Sequence, residues 1–235
     1  MTSRIGRIAG PVLLFLALDY AVLVGIGLLL TRVLDKSGFV GAEDDVNTTL
    51  ADGRTKPLND ATYLLSGLGN TGAIVGALVV VAVVMRLVLK RWREPIFLVL
   101  AVSGQALVFL LVQLTISRQR PDVKRLDSSP PTSSYPSGHT GAATALFVAS
   151  ALLVAWYVRR QWVKILSVAV LGVVPLLVAY GRLYRGMHHP SDVLAAFLNG
   201  LACVTIASVF VLGRRGWGEP RDPSDAPATV TAGAP

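Results

Sequence analysis

The stretch GHTGAATALFVASALLVAWYV, residues 138–158, decides how this chain folds. It contains no Asp, Glu, Lys or Arg, and its one histidine, His139, stands at its beginning. A helix needs about 20 mainly apolar residues to cross the hydrocarbon core of a bilayer. The stretch therefore predicts a membrane-spanning helix that starts with a histidine at one membrane face.

Similar stretches recur along the chain. Its 235 residues are 53% hydrophobic and 15% charged, which is too apolar for a soluble domain of this length. The six predicted spans are about residues 11–33, 62–89, 95–116, 138–158, 163–183 and 190–212. The sequence thus predicts an all-α fold, a polytopic membrane protein in which a six-transmembrane-helix bundle forms one domain, residues 1–213.

The two ends of the chain give further predictions. The first apolar run is longer than the core of a cleavable signal peptide, so we expect it to remain as a helix. Residues 214–235 are rich in Pro, Ala, Thr and Asp and lack helical periodicity, which predicts a disordered cytoplasmic tail. The single cysteine, Cys203, lies in the last span, and this excludes an intrachain disulfide bond.

The positions of the positive charges predict which way the protein faces. A net charge of +8 would suggest a nucleic-acid partner for a soluble protein, but here the positive-inside rule explains it better. With both termini cytoplasmic, twelve of the 22 Lys and Arg residues lie inside, and six of the other ten cluster at span ends. We therefore expect a multi-pass protein of the cell (plasma or inner) membrane. The acidic far-side segment, residues 34–60, either packs over the outer face or is partly disordered.

Three short segments bring polar residues together on the far side. They are QLTISRQRP (113–121), PSGH (136–139) and GRLYRGMHHPSD (181–192). Cations at a membrane surface without acidic neighbours in sequence suggest a bound anion. The sequence therefore predicts an anion site where these segments meet.

The PSGH segment has the chemistry of such a site. Gly138 lets the backbone approach a ligand closely, and the helix that follows begins with unpaired amide groups and a positive dipole end. The Ser137 hydroxyl can donate a further hydrogen bond. His139, in the first helical turn, can transfer a proton.

The third segment supplies a candidate nucleophile and a candidate phosphate-binding arginine. Pro190 suits the first position of a helix, which places Asp192 in the first turn, four residues after His188. A carboxylate that accepts one imidazole N–H fixes the tautomer and leaves the other nitrogen as a nucleophile. Arg182 offers a planar fork for phosphate oxygens.

Together these residues resemble the three-part signature of the type 2 phosphatidic acid phosphatases, the membrane branch of a superfamily shared with vanadium haloperoxidases. The resemblance rests on Arg120-Pro121, on Pro136 to His139, and on the spacing of Arg182, His188 and Asp192. It implies that His188 forms a phosphohistidine, that Asp192 orients His188, and that His139 protonates the leaving alcohol. It also implies that Arg120, Arg182, Ser137 and the Gly138 amide hold the phosphate oxygens, with no metal and no cofactor.

The sequence departs from that signature at two positions. Gln113 stands where the family usually has a lysine, and Gly181 stands where it usually has a serine. Gln113 can donate a hydrogen bond but brings no charge, so phosphate binding or substrate choice is expected to change. Arg118 is a candidate substitute, although on a helix it points about 140° away from Gln113.

The sequence therefore predicts a metal-independent phosphatase of a lipid phosphomonoester or pyrophosphate at the outer membrane face, in a bacterial cell envelope. Phosphatidate, phosphatidylglycerophosphate and polyprenyl phosphates all present the required head group. The alternatives are a catalytically impaired protein that binds or transports lipid phosphate, and a phosphatase of a soluble phosphate ester. The expected partners are the substrate and the bilayer, without nucleic acid. The stretch GLGNTG, 67–72, is interpreted as close helix packing within the second span and not as a dinucleotide fingerprint.

Overall fold

The structure, a computed structural model, describes residues 2–35, 37–128 and 131–213, and these residues form helices without a β-strand. In order, the α-helices are α1 (Thr2–Leu28), α2 (Gly38–Asp52), α3 (Lys56–Gly67), α4 (Thr71–Leu89), α5 (Arg93–Thr115), α6 (Gly138–Tyr157), α7 (Gln161–Tyr184) and α8 (Pro190–Ala207). The predicted disordered tail, residues 214–235, lies outside the described residues.

Six of these helices are long and apolar enough to cross a membrane. Four of them are α4, α5, α6 and α7. The other two are α1, whose span begins at Ala9 and continues through a π-helical segment to Val33, and α8, which continues through a π-helical segment to Leu212. This confirms the prediction of an all-α fold with six spans. Five of the spans begin and end within two residues of the positions predicted from the sequence.

The second span is the exception, because it begins at Thr71 and not near residue 62. The chain breaks between α3 and α4, where the Asn70 side chain accepts a hydrogen bond from the Gly72 N–H and caps a new helix. A Cβ on Gly69 would lie 2.8 Å from the carbonyl oxygen of His139. The GLGNTG stretch is therefore a helix junction that packs closely on the start of α6.

The acidic segment before this junction forms two short helices, α2 and α3. Ser37 and Thr55 act as their N-caps, since each side chain accepts a hydrogen bond from a backbone N–H of the following turn. α2 packs against α7 and α8, and α3 packs against α7. Of the two alternatives predicted for this segment, the structure has the one in which it packs over the bundle.

Helix α6 lies at the centre of the bundle, in contact with α5, α7 and α8. Its buried side chains Leu146 and Leu153 pack with Phe97 and Leu98 of α5 in the largest apolar core. Small residues bring the neighbouring helix close, because a Cβ on Gly200 of α8 would lie only 2.6 Å from the Cβ of Thr144. The start of α6, with its PSGH segment, is thus fixed by packing on several sides.

Candidate active site

A cavity of about 450 Å³ lies at the end of the bundle where α4, α6 and α8 begin. Its polar lining includes Gln113, Arg120, His139, Arg182 and His188, and Gly138 lies beside them. Its apolar lining includes Ile74, Val75, Val102, Ala106, Phe109 and Ala142. The three sequence segments therefore meet, and they do so next to an apolar wall of α4, α5 and α6.

His188 is held by a backbone carbonyl. Its Nδ1 lies 2.7 Å from the carbonyl oxygen of Ser134 and 3.7 Å from Oδ2 of Asp192. A carbonyl oxygen can only accept, so Nδ1 carries the proton and Nε2 keeps its lone pair. Burial lowers the pKa of His188, which favours the neutral ring at pH 7. The structure thus differs from the expected His188–Asp192 hydrogen bond, but it produces the same tautomer.

The carboxylate of Asp192 is buried and accepts hydrogen bonds from groups other than His188. It accepts from Nη1 of Arg118 at 2.5 Å and from the backbone N–H of His189 at 2.9 Å. Nη2 of Arg118 donates to Glu43 at 2.7 Å. Burial alone lowers the pKa of Arg118, but the two carboxylates raise it above its ordinary value. Asp192 therefore belongs to a three-residue charge network that reaches α2.

This network argues against the suggestion that Arg118 replaces the missing lysine at the phosphate. Both terminal nitrogens of Arg118 are bonded to carboxylates, and the residue is absent from the described lining of the cavity. Sequence reasoning missed Glu43, which also accepts from the N–H of Ser191 at 2.6 Å. The sequence did contain an indication: Glu43 stands four residues before Asn47, a spacing that puts both side chains on one face of a helix, and this face of α2 is buried.

Arg120 and Arg182 each retain an unused hydrogen-bond donor. Nη1 of Arg120 donates to the carbonyl oxygen of Met187 at 2.7 Å, and Nη1 of Arg182 donates to Ser66 and Asp127, both at 2.9 Å. In both residues the Nε–H is buried and has no acceptor among the described residues. A buried donor without an acceptor is costly, so two of them beside one cavity indicate an anion-binding site.

Ser137 and Gly138 differ in how well they fit their expected roles. The Ser137 hydroxyl donates to Oγ1 of Thr140 at 3.0 Å, and Ser137 is fully buried and outside the described cavity lining. Its N–H donates instead to the backbone carbonyl of Asp192 at 3.0 Å. Gly138 does line the cavity, and a Cβ there would lie 2.8 Å from the ring of Phe109.

Two further polar residues complete the surroundings. Gln113 lines the cavity, and its amide donates to the carbonyl oxygen of Ser133 at 3.1 Å. Asp127, which sequence reasoning missed, bonds both Arg182 and Arg185. Burial raises the pKa of Asp127, but these arginines bring it below its ordinary value. No group of three or more His, Cys, Asp or Glu side chains in the described part of the chain has an arrangement that could hold a metal ion.

Six spanning helices around a cavity with paired arginines and histidines define a multi-pass membrane protein with an anion site beside an apolar wall. A comparison with protein families makes this specific: the chain belongs to the PAP2 superfamily, whose pattern matches residues 94–215. The chain is thus a membrane-spanning member of the superfamily that its three-part signature resembles.

Two relatives are similar in sequence. Phosphatidylglycerophosphatase B of Bacillus subtilis is 26% identical over 181 residues, which cover 74% of this chain and 85% of that protein. Undecaprenyl-diphosphatase of Sulfolobus acidocaldarius is 31% identical over 104 residues, or 44% of this chain and 46% of that protein. The second match therefore spans less than half of either protein.

Two solved structures share the fold. A transmembrane PAP2-type phosphatidylglycerolphosphate phosphatase from Bacillus subtilis has a TM-score of 0.70 and 22% identity, covering 82% of this chain and 95% of that one. LpxE of Aquifex aeolicus has a TM-score of 0.56 and 22% identity, covering 69% of this chain and 92% of that one. At this level of identity, these matches show the fold alone.

Proposed function

We propose that this protein hydrolyses a lipid phosphate ester through a phosphohistidine on His188. The observation that carries the proposal is the pair of buried, unbonded Nε–H groups on Arg120 and Arg182, beside the cavity that His188 lines. A phosphoryl group in the cavity would accept from both arginines. Its phosphorus would then face the histidine whose Nε2 is free to attack.

The proposed reaction has two steps. In the first, Nε2 of His188 bonds to phosphorus while the bond from phosphorus to the leaving oxygen breaks, and His139 gives that oxygen a proton. In the second, His139 takes a proton from water, whose oxygen bonds to phosphorus as the bond to His188 breaks. The two arginines stabilise the charge on the phosphoryl oxygens, the task that metal ions perform in other phosphatases. We therefore propose catalysis without a metal.

The apolar wall supports a lipid substrate. Ile74 and Val75 of α4 face the cavity together with Val102 and Phe109 of α5, so an acyl or prenyl chain can lie beside them while its head group meets the arginines. The named activities of the relatives point to the same class, since one is a phosphatidylglycerophosphatase and the other an undecaprenyl-diphosphatase. We propose that the site opens to the outer leaflet, because the positive-inside rule favours cytoplasmic termini.

Gln113 favours a second candidate, a protein that binds or moves lipid phosphate without turnover. Its amide is neutral and already donates to the carbonyl of Ser133, so the cavity has one positive charge fewer than the family signature provides. A third candidate, hydrolysis of a soluble phosphate ester, leaves the apolar wall without a role.

The test is phosphate release by the purified protein in detergent with EDTA, over lipid monophosphates and diphosphates of short and long chain length. We expect turnover of long-chain substrates, inhibition by vanadate, and no turnover by His188→Ala. His188→Asn is the matched variant, because its amide can still donate to the Ser134 carbonyl and preserve the local structure. Activity that survives in both variants would disprove the nucleophile, and equal rates on short and long chains would argue against lipid recognition. Vanadate binding without turnover would support the second candidate.

A further inference from the structure

Helix α3 supplies a hydroxyl to the anion site from outside the segments that carry the signature. Ser66, in the last turn of α3, is 4% exposed, and its Oγ accepts a hydrogen bond from Nη1 of Arg182 at 2.9 Å. Ser66 precedes residues 94–215, which match the family pattern. No feature of the signature therefore points to it.

The backbone of α3 can approach Arg182 of α7 closely because the residue before this arginine, Gly181, has no side chain. A Cβ on Gly181 would lie 3.2 Å from the backbone nitrogen of Ser66 and 3.3 Å from the carbonyl oxygen of Thr62. Gly181 immediately precedes Arg182, so this close approach of the two helices lies beside the arginine. The family usually has a serine at position 181. In this chain that position is a glycine, and a serine of the neighbouring helix lies against it.

Nη1 of Arg182 has two hydrogen-bond partners, the neutral hydroxyl of Ser66 and the charged carboxylate of Asp127. Asp127 accepts from Nη1 of Arg182, but it also forms two-point hydrogen bonds with Arg185, at 2.6 to 2.9 Å. A carboxylate partly neutralises the guanidinium, whereas a hydroxyl orients it and leaves its charge intact. With Nη1 fixed by both partners, the buried Nε edge of Arg182 stays unbonded beside the cavity.

From this geometry we propose that Ser66 is a positioning residue of the phosphate site, which holds the Nε edge of Arg182 towards the bound phosphoryl group. The inference rests on the proposed function only to the extent that the cavity binds phosphate. Ser66 of α3 would then supply the serine hydroxyl that the family usually has at the position of Gly181.

The experiment measures the dissociation constants of orthovanadate and inorganic phosphate by calorimetry on the purified full chain. We expect Ser66→Ala to weaken binding about five- to tenfold, less than the full effect of one hydrogen bond to a charged group, because Asp127 still holds Nη1 of Arg182. Ser150→Ala is the matched control, because it removes a buried serine hydroxyl that bonds only within its own helix α6. We expect this control to bind like the wild type, and both variants to keep the wild-type unfolding temperature within a few degrees.

A second pair of variants tests whether Ser66 acts through Arg182. In an Arg182→Lys background, Ser66→Ala should change the dissociation constant less than twofold, because the guanidinium that it orients is gone. An equal loss in both backgrounds, or unchanged binding in Ser66→Ala alone, would overturn the role of Ser66 and leave the proposed function standing. If the wild-type protein binds neither anion, the phosphate site itself is disproved, and this inference with it.

Discussion

Two clusters of charged residues lie at opposite ends of the bundle, and they differ in whether the hydrogen bonds of their buried groups are complete. Near the start of α5, Arg91, Glu94 and Tyr157 bond one another: Nη2 of Arg91 lies 2.8 Å from Glu94, and the Tyr157 hydroxyl donates to Glu94 at 2.7 Å. At the other end, Arg120 and Arg182 line a cavity and keep an Nε–H without an acceptor among the described residues.

The difference separates a structural cluster from a binding site. A buried ion pair whose partners satisfy one another contributes to the fold and leaves nothing for a ligand. Buried donors without acceptors destabilise the empty protein, and a bound anion restores the missing hydrogen bonds. We therefore expect substitutions at the cavity end to change activity more than stability, and substitutions at the other end to do the reverse.

The largest effect is expected for Arg120→Ala. Loss of one pre-positioned donor to a charged transition state lowers kcat by about 10²- to 10³-fold. The free energy of unfolding should change little, because the variant also removes a buried, incompletely bonded guanidinium. Phosphate release and thermal unfolding of the same preparation measure both quantities. Wild-type kcat, or loss of folding in parallel with loss of activity, would contradict the distinction between the two clusters.

Glu94→Gln should have the opposite effect. Glu94 is fully buried and bonds both Arg91 and Tyr157, so the loss of its charge leaves Arg91 with a neutral partner. Because Arg91 is about one-third exposed, water compensates in part, and we expect a loss of about 2 kcal/mol in the free energy of unfolding. The kcat of the folded fraction should equal that of the wild type. A specific fall in kcat would mean that this cluster is coupled to the cavity.

An intermediate result is expected for Glu43→Gln, since Glu43 belongs to a closed network that touches the site. Its carboxylate bonds Arg118 and the N–H of Ser191, and Arg118 bonds Asp192. The neutral amide should cost about 1 kcal/mol of stability. Through a small shift of Asp192 it should lower kcat about threefold to tenfold. Unfolding and steady-state kinetics on one preparation measure both, and an effect on stability alone would make the network purely structural.

The sequence predicts the spanning helices and the residues that meet at the cavity, because both depend on local patterns. Apolar length identifies the spans, and the spacing within PSGH and within residues 181–192 is preserved by the helices that begin there. The break before α4 was missed because residues 62–69 include three leucines and no charged residue, and so extend the uncharged stretch of α4 towards the N-terminus. What ends the helix there is the cap at Asn70.

The partners of the site residues could not be predicted in the same way. Ser66, Glu43 and Asp127 lie 55 to 116 positions from the arginines that they bond, and in sequence each is an ordinary polar residue. The hydrogen bond from His188 to the Ser134 carbonyl is equally invisible, because every residue has a carbonyl oxygen. Such contacts depend on how the helices pack, and packing is set by the whole bundle.

The smallest effect is expected for Gln113→Lys, which tests whether the cavity lacks a charge. Gln113 lines the cavity and donates to the Ser133 carbonyl, a bond that an ammonium group can also form. The added charge attracts phosphate, but its desolvation offsets much of the gain, so we expect KM to fall about threefold, or by roughly 0.7 kcal/mol. The fall should be larger for a diphosphate, which carries more negative charge.

Gln113→Met is the control for this substitution, because it has a similar size and brings neither charge nor amide. If Met and Lys lower KM equally, the effect comes from packing and the charge argument fails. If the wild-type protein is inactive and Gln113→Lys gains turnover, the cavity end contains a phosphatase site that lacks one charge. The natural protein would then bind lipid phosphate without hydrolysing it, even though two arginines and two histidines line the same cavity.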